Sequence, residues 1–213
     1  HLVQNKDLNV ITVLTQPDKR RKRGTGKHET PVSRVARKHS IKILKPKTID
    51  KTFVSTELSR SNIDLILVVA YGHILPKEML KIPKIMSMNI HFSLLPKYRG
   101  ASPIQSAIIN GDKKTGISFM KIIEKMDAGE LIYKADVKID NEDTKTVLEN
   151  KLTSLAISKI DGVLNSLQKN DYKLIEQNES DASYCSKIIK EDSLVDFKNT
   201  SLDIFNKFRA LEE

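Results

Sequence analysis

Three polar side chains could carry chemistry in this sequence. Asn89 and His91 are two positions apart where a short apolar stretch, residues 84–90, runs out into a loop. Alternate residues of a strand project from the same face, so the amide and the imidazole should point the same way. Asp127 lies on a predicted loop between two later strands, with Gly129 beside it. Acyl transfer to an amine can use these three groups. The carboxamide donates to an oxyanion, the imidazole moves a proton, and the carboxylate sets the protonation state of the imidazole.

Simpler interpretations of the same residues remain open. A single histidine at a strand end is commonly a hydrogen-bonded structural residue, and Asp127 alone is an ordinary loop aspartate. Ser93 has no Gly-x-Ser-x-Gly elbow around it. The spacing of Gly24 and Gly26 does not match a phosphate-binding fingerprint. No spacing of histidine and acidic residues indicates a metal site, so we expect no metal. The residue types alone support an α/β domain with an acid–base site.

The elements that must position these residues alternate along the chain. The pattern predicts an α/β fold built on a doubly wound, mostly parallel sheet, in which ligands bind beyond the carboxyl ends of the strands. Residues 64–70 are apolar on both faces, which is typical of a central parallel strand. Strands are predicted at 8–14, 41–44, 64–70, 84–90, 116–123 and 131–139, and helices at 31–39, 50–59, 74–80, 101–110, 144–167 and from 202 onward.

The charge balance favours a polyanionic partner. The chain has 36 Lys and Arg residues against 27 Asp and Glu residues, a formal net charge of +9. An excess of this kind favours nucleic acid, although a basic surface coat is the alternative. The charge is concentrated in a predicted exposed, mobile loop after the first strand, where it could form a phosphate-contacting arm or a solvated charge run. The basic residues of this loop are Lys19, Arg20, Arg21, Lys22, Arg23 and Lys27.

Other features limit the cellular setting. Cys185 is the single cysteine, which excludes an intrachain disulfide. No apolar run approaches the roughly 18 residues that a membrane span needs, and no leader pattern is present. We therefore expect a cytoplasmic protein without a membrane partner. Because the chain begins without Met and stops within a helical pattern, we also expect that both ends are cut.

Several stretches resemble a known superfamily, the folate-dependent formyltransferases. Asn-Ile-His-Phe-Ser-Leu-Leu-Pro at 89–96 looks like their signature, and Asp-Ala-Gly at 127–129 matches their Asp-x-Gly loop. Within the superfamily, several stretches resemble the methionyl-tRNA formyltransferases in particular, and the likeness extends in order over nearly the whole chain. The stretches that carry this likeness are 15–18 with its basic loop, 68–72, 74–76, 99–105, 111–112 and 115–116.

The resemblance implies an activity and its residues. It implies transfer of a formyl group from 10-formyltetrahydrofolate to the α-amino group of methionyl initiator tRNA, by a monomer without metal. Asn89, His91 and Asp127 would be catalytic. The residues that would help to bind folate are Ser93, Leu94, Leu95, Pro96, Val69, Ala70 and Tyr71. The tRNA-binding residues would be Lys19, Arg20, Arg21, Lys22, Arg23 and Lys27.

The resemblance also implies a domain organisation. Residues 1–192 would form a Rossmann-like formyltransferase domain, and residues 193–213 a terminal helix with the start of a linker. The family's first strand and its carboxy-terminal β-barrel would be absent. Phe92 stands where the family often has a small residue. An amino-sugar nucleotide or glycinamide ribonucleotide as acceptor, a non-catalytic RNA-binding module, and a plain α/β domain remain alternatives.

Overall fold

The computed structural model describes residues 1–20, 27–59 and 61–212, with only the backbone described at Lys19, Arg20 and Lys27. The chain divides into two compact units. Unit 1 comprises His1–Asn62 and His73–Ile82, and unit 2 comprises Ile63–Gly72 and Pro83–Glu213. The three predicted catalytic residues all belong to unit 2.

Unit 1 is an α/β arrangement of short elements. Its strands are β1 (Thr12–Leu14), β2 (Lys19–Arg20), β3 (Lys27–His28) and β4 (Lys42–Leu44), and its helices are a 3-10 turn (Leu2–Gln4), α1 (Pro31–Lys38), α2 (Lys51–Phe53), a π-helix (Val54–Leu58) and α3 (Lys77–Leu80). Strands β1 and β4 pair in parallel, whereas β2 and β3 pair antiparallel.

The predicted start of α1 is confirmed. The Thr30 hydroxyl accepts a hydrogen bond from the Ser33 backbone N–H at 3.2 Å, and Pro31 occupies the first helical turn. The first position tolerates proline because its N–H would have no partner inside the helix. Other boundaries are shorter than predicted: only Thr12–Leu14 of the stretch 8–14 is a strand. The predicted helix at 50–59 begins as α2 and continues as the π-helix.

Unit 2 is organised around a mixed sheet. Its strands are β5 (Leu65–Val68), β6 (Met86–His91), β7 (Arg99–Gly100), β8 (Lys114–Lys121), β9 (Leu131–Lys138) and β10 (Tyr184–Cys185). Among the described residues, four of these strands form one sheet in the order β5-β6-β8-β9. Strands β5 and β6 pair in parallel, whereas the β6–β8 and β8–β9 pairs are antiparallel.

The α/β class is confirmed, and the sheet of unit 2 is more mixed than the mostly parallel arrangement we predicted. Strands β8 and β9 are joined by residues 122–130 without a helix, and a parallel pair needs a crossover of about a dozen residues or more. Strand β5, predicted as central, is an edge strand of this described sheet, and its four residues are half-buried. An apolar run indicates covered faces but does not reveal the number of neighbouring strands.

Unit 2 also contains helices and 3-10 turns, and its longest helix covers the sheet. They are α4 (Pro103–Ile109), α5 (Lys145–Gln168), two 3-10 turns (Glu179–Asp181 and Lys190–Ser193) and α6 (Ser201–Leu211). Helix α5 packs against β8 and β9, and α4 packs against α6. The helix predicted at 144–167 is confirmed as α5, and its buried side chains form an apolar stripe of Leu148, Leu152, Ala156, Ile160, Val163 and Leu167.

Candidate active site

Strand β6 places Asn89 and His91 on one face at its carboxyl end. Its register pairs Asn89 with Val68 of β5 and His91 with Ser118 of β8, so the pair sits between two strands. His91 is buried, with 6% of its surface exposed, whereas Asn89 is half-buried. Within the described part of the chain, no hydrogen bond is recorded for the Asn89 carboxamide. Its NH2 group is therefore suited to donate to a ligand.

The imidazole of His91 is fixed by a backbone carbonyl. Its Nε2 atom lies 2.8 Å from the carbonyl oxygen of Tyr98. A carbonyl oxygen only accepts hydrogen bonds, so Nε2 must carry a hydrogen whether the ring is neutral or charged. The nitrogen that gains or loses a proton is consequently Nδ1, which lies 3.9 Å from Oδ2 of Asp127.

Asp127 is held by a hydrogen bond from a backbone N–H, and its own backbone adopts an unusual conformation. Its Oδ2 atom accepts a 2.8 Å hydrogen bond from the Gly100 N–H, and its side chain is 18% exposed. Its φ angle is +48°, in the left-handed region that few residues other than glycine adopt. Such a conformation persists only where the surroundings enforce it. The carboxylate is therefore placed by the loop and by its neighbours.

Gly129 lets the Asp127 loop approach β8 closely. A Cβ atom at this position would lie 1.8 Å from the carbonyl oxygen of Lys121, which no side chain can satisfy without displacing backbone. The adjacent hydrogen bond from the Lys121 N–H to the Glu130 carbonyl, at 2.9 Å, ties the same loop to the sheet. The glycine noted in the sequence thus has a definite steric role beside the candidate acid group.

The turn after β6 is built from the predicted folate-binding residues 93–96. Ser93 and Leu95 are fully buried, whereas Leu94 and Pro96 are half-buried, and the Leu95–Pro96 peptide bond is cis. The Ser93 hydroxyl donates to the Lys97 carbonyl at 2.6 Å. Leu94 lines a cavity of about 130 Å³ together with Tyr98, Asp112 and Thr115 among others. Ser93 and Leu95 therefore support the turn from inside, and the role of residues 93–96 in folate binding stays a prediction.

The other predicted folate-binding residues follow β5 directly. Val69 and Ala70 are exposed, and Tyr71 is half-buried, which raises the pKa of its phenol. The φ angles of Ala70 and Gly72 are +47° and +75°, so the backbone turns sharply here. Because Val68 pairs with Asn89, these residues continue beside the carboxyl end of β6. An exposed apolar edge thus lies in the same unit as the catalytic candidates.

The predicted tRNA-binding residues are only partly described. Lys19 and Arg20 form β2, and Lys27 belongs to β3, so a short antiparallel ladder forms both ends of the basic run. Arg21, Lys22 and Arg23 lie outside the described residues. Their role stays a prediction.

Sequence reasoning missed the groups that hold the site together. The Tyr98 carbonyl and the Gly100 N–H are main-chain groups, which a pattern of side chains does not single out. Gln177 lies between the helices predicted at 144–167 and from 202 onward, where no functional residue was predicted, yet its carboxamide donates to the carbonyls of Asp127 and Gly129 at 2.9 and 2.7 Å. Its oxygen accepts from Arg99.

Two further observations concern metal binding and membrane-spanning helices. The described residues contain no group of three or more histidine, cysteine or acidic residues that could hold a metal ion. None of the described helices is both long enough and apolar enough to cross a membrane.

Comparison with known proteins identifies the family. Residues 2–161 match the family model described as formyl transferase. The chain belongs to the formyl transferase family. Methionyl-tRNA formyltransferase of Thermotoga maritima is 39% identical over 212 residues, which cover 100% of this chain and 67% of the relative. The corresponding enzyme of Mycoplasma capricolum is 37% identical over 210 residues, covering 99% of this chain and 66% of the relative.

The resemblance seen in the sequence is confirmed by these relatives, and the chain is a member of an enzyme family. The chain spans about two thirds of the relatives' length. Among solved structures, the sugar 3N-formyl transferase WlaRD, in the presence of dTDP and 5-N-formyl-THF, is similar with a TM-score of 0.68 and 26% identity. That match covers 86% of this chain and 63% of WlaRD.

Proposed function

We propose that this formyl transferase transfers a formyl group from 10-formyltetrahydrofolate to the α-amino group of methionyl initiator tRNA. The single observation that carries the proposal is the distance of 3.9 Å between His91 Nδ1 and Asp127 Oδ2. His91 lies at the end of the strand that also carries Asn89. The acceptor follows from relatives of 37–39% identity, which are named methionyl-tRNA formyltransferases. The basic run at 19–27 supplies charge suited to a phosphate backbone.

The reaction requires a neutral amine and a place for negative charge. As the amine nitrogen bonds to the formyl carbon, charge develops on the formyl oxygen, and the bond between that carbon and the folate nitrogen then breaks. One proton leaves the amine and one is gained by the departing nitrogen, so the overall proton count is unchanged. 10-Formyltetrahydrofolate supplies the formyl group, and Val69, Ala70, Tyr71 and the 93–96 turn would hold it.

Asn89 and His91 stabilise the developing charge. The Asn89 NH2 group donates without carrying a charge itself, and preorganised donors of this kind are typically the largest electrostatic contribution in acyl transfer. The His91 Nε2–H is engaged by Tyr98, so the proton available to the reacting groups is the one on Nδ1. Nδ1 faces Asp127, and the carboxylate stabilises the charged ring.

Asp127 moves the amine proton. Its Oδ2 atom lies 3.9 Å from Nδ1, beyond direct hydrogen-bonding distance, so transfer between the two groups needs a bridging water or substrate atom. The Gly100 N–H holds this oxygen in place. In this scheme the Tyr98 carbonyl orients the imidazole, and Asp127 accepts and relays the proton.

The experiment that tests the function compares acceptors. Labelled 10-formyltetrahydrofolate is incubated with the enzyme at its full natural length and with methionyl initiator tRNA, uncharged initiator tRNA or a dTDP-amino sugar. The likeness to a sugar N-formyltransferase makes the amino sugar the relevant competitor. We expect label in the charged tRNA alone. An equal or higher kcat/KM for the sugar, or binding of tRNA without any formyl transfer, would contradict the proposal.

A further inference from the structure

Gln177 joins the Asp127 loop to a buried arginine. Both hydrogens of its NH2 group are used, one on the Asp127 carbonyl at 2.9 Å and one on the Gly129 carbonyl at 2.7 Å. Its oxygen accepts from Nε and Nη2 of Arg99 at 3.1 and 2.9 Å. A single carboxamide therefore spans the turn that carries the candidate acid group. Gln177 lies beyond residues 2–161, which match the family model.

Arg99 is a rigid support for this carboxamide. The side chain is fully buried, and its remaining N–H groups donate to both carboxylate oxygens of Glu179 and to the Tyr184 hydroxyl. The bond to Glu179 is the main cause of the raised pKa of Arg99. A buried charge is tolerated only when it is paired and hydrogen-bonded, and these contacts meet that condition. The planar guanidinium fixes the orientation of Gln177.

The segment that carries Gln177 is anchored on both sides of the site. Ile175 exchanges two backbone hydrogen bonds with Leu131, at 2.8 and 2.9 Å, directly after the Asp127 loop. Strand β10 pairs in parallel with β7, next to the Gly100 N–H that binds Asp127. The segment 175–185 is therefore bonded both to Leu131, which follows the Asp127 loop, and to β7, which contains the Gly100 N–H donor.

We propose that Gln177, oriented by Arg99, is a positioning residue that holds Asp127 opposite His91. The left-handed φ of Asp127 needs external support, and the two bonds from Gln177 act on the carbonyls at each end of the 127–129 turn. Gln177 does not touch the reacting atoms and acts through the carboxylate. This inference rests on the proposed formyl transfer.

Both decisive variants remove the donors of the Gln177 side chain. Gln177→Glu keeps the side-chain length and the oxygen that faces Arg99, but it replaces the NH2 group with a charged acceptor that repels both carbonyls. Gln177→Met removes the donors together with the oxygen that faces Arg99, without adding charge. We expect each variant to lower kcat about 10- to 100-fold, because a displacement of about 1 Å in an active site costs rates of that order. The KM for the formyl donor should change less than about twofold.

A neighbouring carboxamide is the matched control. Among the described residues, the Asn178 side chain bonds only within its own turn, where it donates to Asp181 at 3.0 Å and accepts from the Ser180 N–H at 3.2 Å. Asn178→Ala loosens the same segment without touching the Asp127 loop, so its kcat should stay within about twofold of the parent. A kcat in Gln177→Glu and Gln177→Met equal to that of Asn178→Ala would overturn the inference.

A double-mutant cycle separates positioning from general stability. In an Asp127→Asn background the relay is already lost, so adding Gln177→Glu should cost no further kcat. If the losses in kcat from the two substitutions multiplied, Gln177 would act independently of Asp127, and the inference would be refuted. If Asp127→Asn alone left kcat unchanged, the proposed mechanism would fail together with the inference. If Asp127→Asn were slow and both Gln177 variants were not, the positioning role alone would fail.

Discussion

His91 Nε2 donates a 2.8 Å hydrogen bond to the carbonyl oxygen of Tyr98, seven residues further along the chain. This bond uses one nitrogen of the ring for orientation and leaves Nδ1 to face other groups of the site. Nδ1 is also the nitrogen that faces Asp127. The turn after β6 therefore fixes both the direction of the imidazole and the atom through which it can act on a proton.

Removal of the Asn89 carboxamide should slow catalysis with little effect on binding. Loss of one oxyanion donor typically costs about 10²–10³ in rate. We therefore expect Asn89→Ala to lower kcat by that factor, while the KM values for donor and acceptor stay within about threefold, as steady-state kinetics would measure. Asn141→Ala, at an exposed position, is the control. A kcat for Asn89→Ala equal to that of the control would remove Asn89 from the mechanism.

Two glycine-to-alanine changes should have opposite effects on stability. At Gly129 the new Cβ would lie 1.8 Å from the Lys121 carbonyl oxygen, so we expect a loss of about 1–3 kcal/mol in the free energy of unfolding. At Gly162, in the exposed face of α5, nothing lies within 4 Å of the new Cβ. There alanine should gain about 0.5–1 kcal/mol, because glycine is unfavourable inside a helix.

Urea unfolding of both glycine variants provides the measurement. If Gly129→Ala were as stable as the parent protein, the close approach of the Asp127 loop to β8 would be disproved. Formyl transfer by this variant should also fall, since the loop that carries Asp127 must shift.

Glu179 should stabilise the protein in a defined acid range. The hydrogen bond from Arg99, followed by that from Lys125, lowers its pKa from 4.5 to about 2. A carboxylate with a lowered folded-state pKa contributes stability above its unfolded-state pKa and loses it as the pH falls through the folded value. The stability difference between the parent and Glu179→Gln should therefore be constant above pH 4.5 and shrink toward zero near pH 2.

Thermal unfolding across this range provides the test. Glu176→Gln is the matched control, because Glu176 is exposed on the same segment and no ion pair is recorded for it among the described residues. A pH-independent difference between parent and Glu179→Gln would show that the Arg99 contact does not form in solution.

The basic run should govern the salt dependence of tRNA binding. Each phosphate contact that is lost lowers the slope of log K against log salt by roughly 0.7–0.9. We expect replacement of Arg21, Lys22 and Arg23 by glutamine to weaken binding and flatten this slope in fluorescence titrations. The same replacement of Lys169, Lys173 and Lys187, which are exposed in unit 2, is the control. Equal slopes for both triple variants would show that the run only adds surface charge.

The sequence predicted the parts of the site that depend on local pattern. The two-residue period of a strand placed Asn89 and His91 on one face, and the helix predicted at 31–39 begins at Pro31 as expected. The contacts that complete the site are not local: Gln177 binds the carbonyl of a residue 50 positions earlier. Such contacts depend on how two loops pack, and periodicity carries no information about that. The antiparallel β6–β8 pair was missed for the same reason.

In the proposed mechanism, His91 and Asp127 together catalyse formyl transfer to methionyl initiator tRNA. The most direct test measures the single-turnover rate of this transfer in the parent, in His91→Ala, in Asp127→Asn and in the double variant. We expect each single variant to lose at least about 10²-fold in rate with tRNA binding unchanged. The double variant should be little slower than the slower single one, because the two side chains act as one unit. Turnover at the parent rate in either single variant would contradict the account.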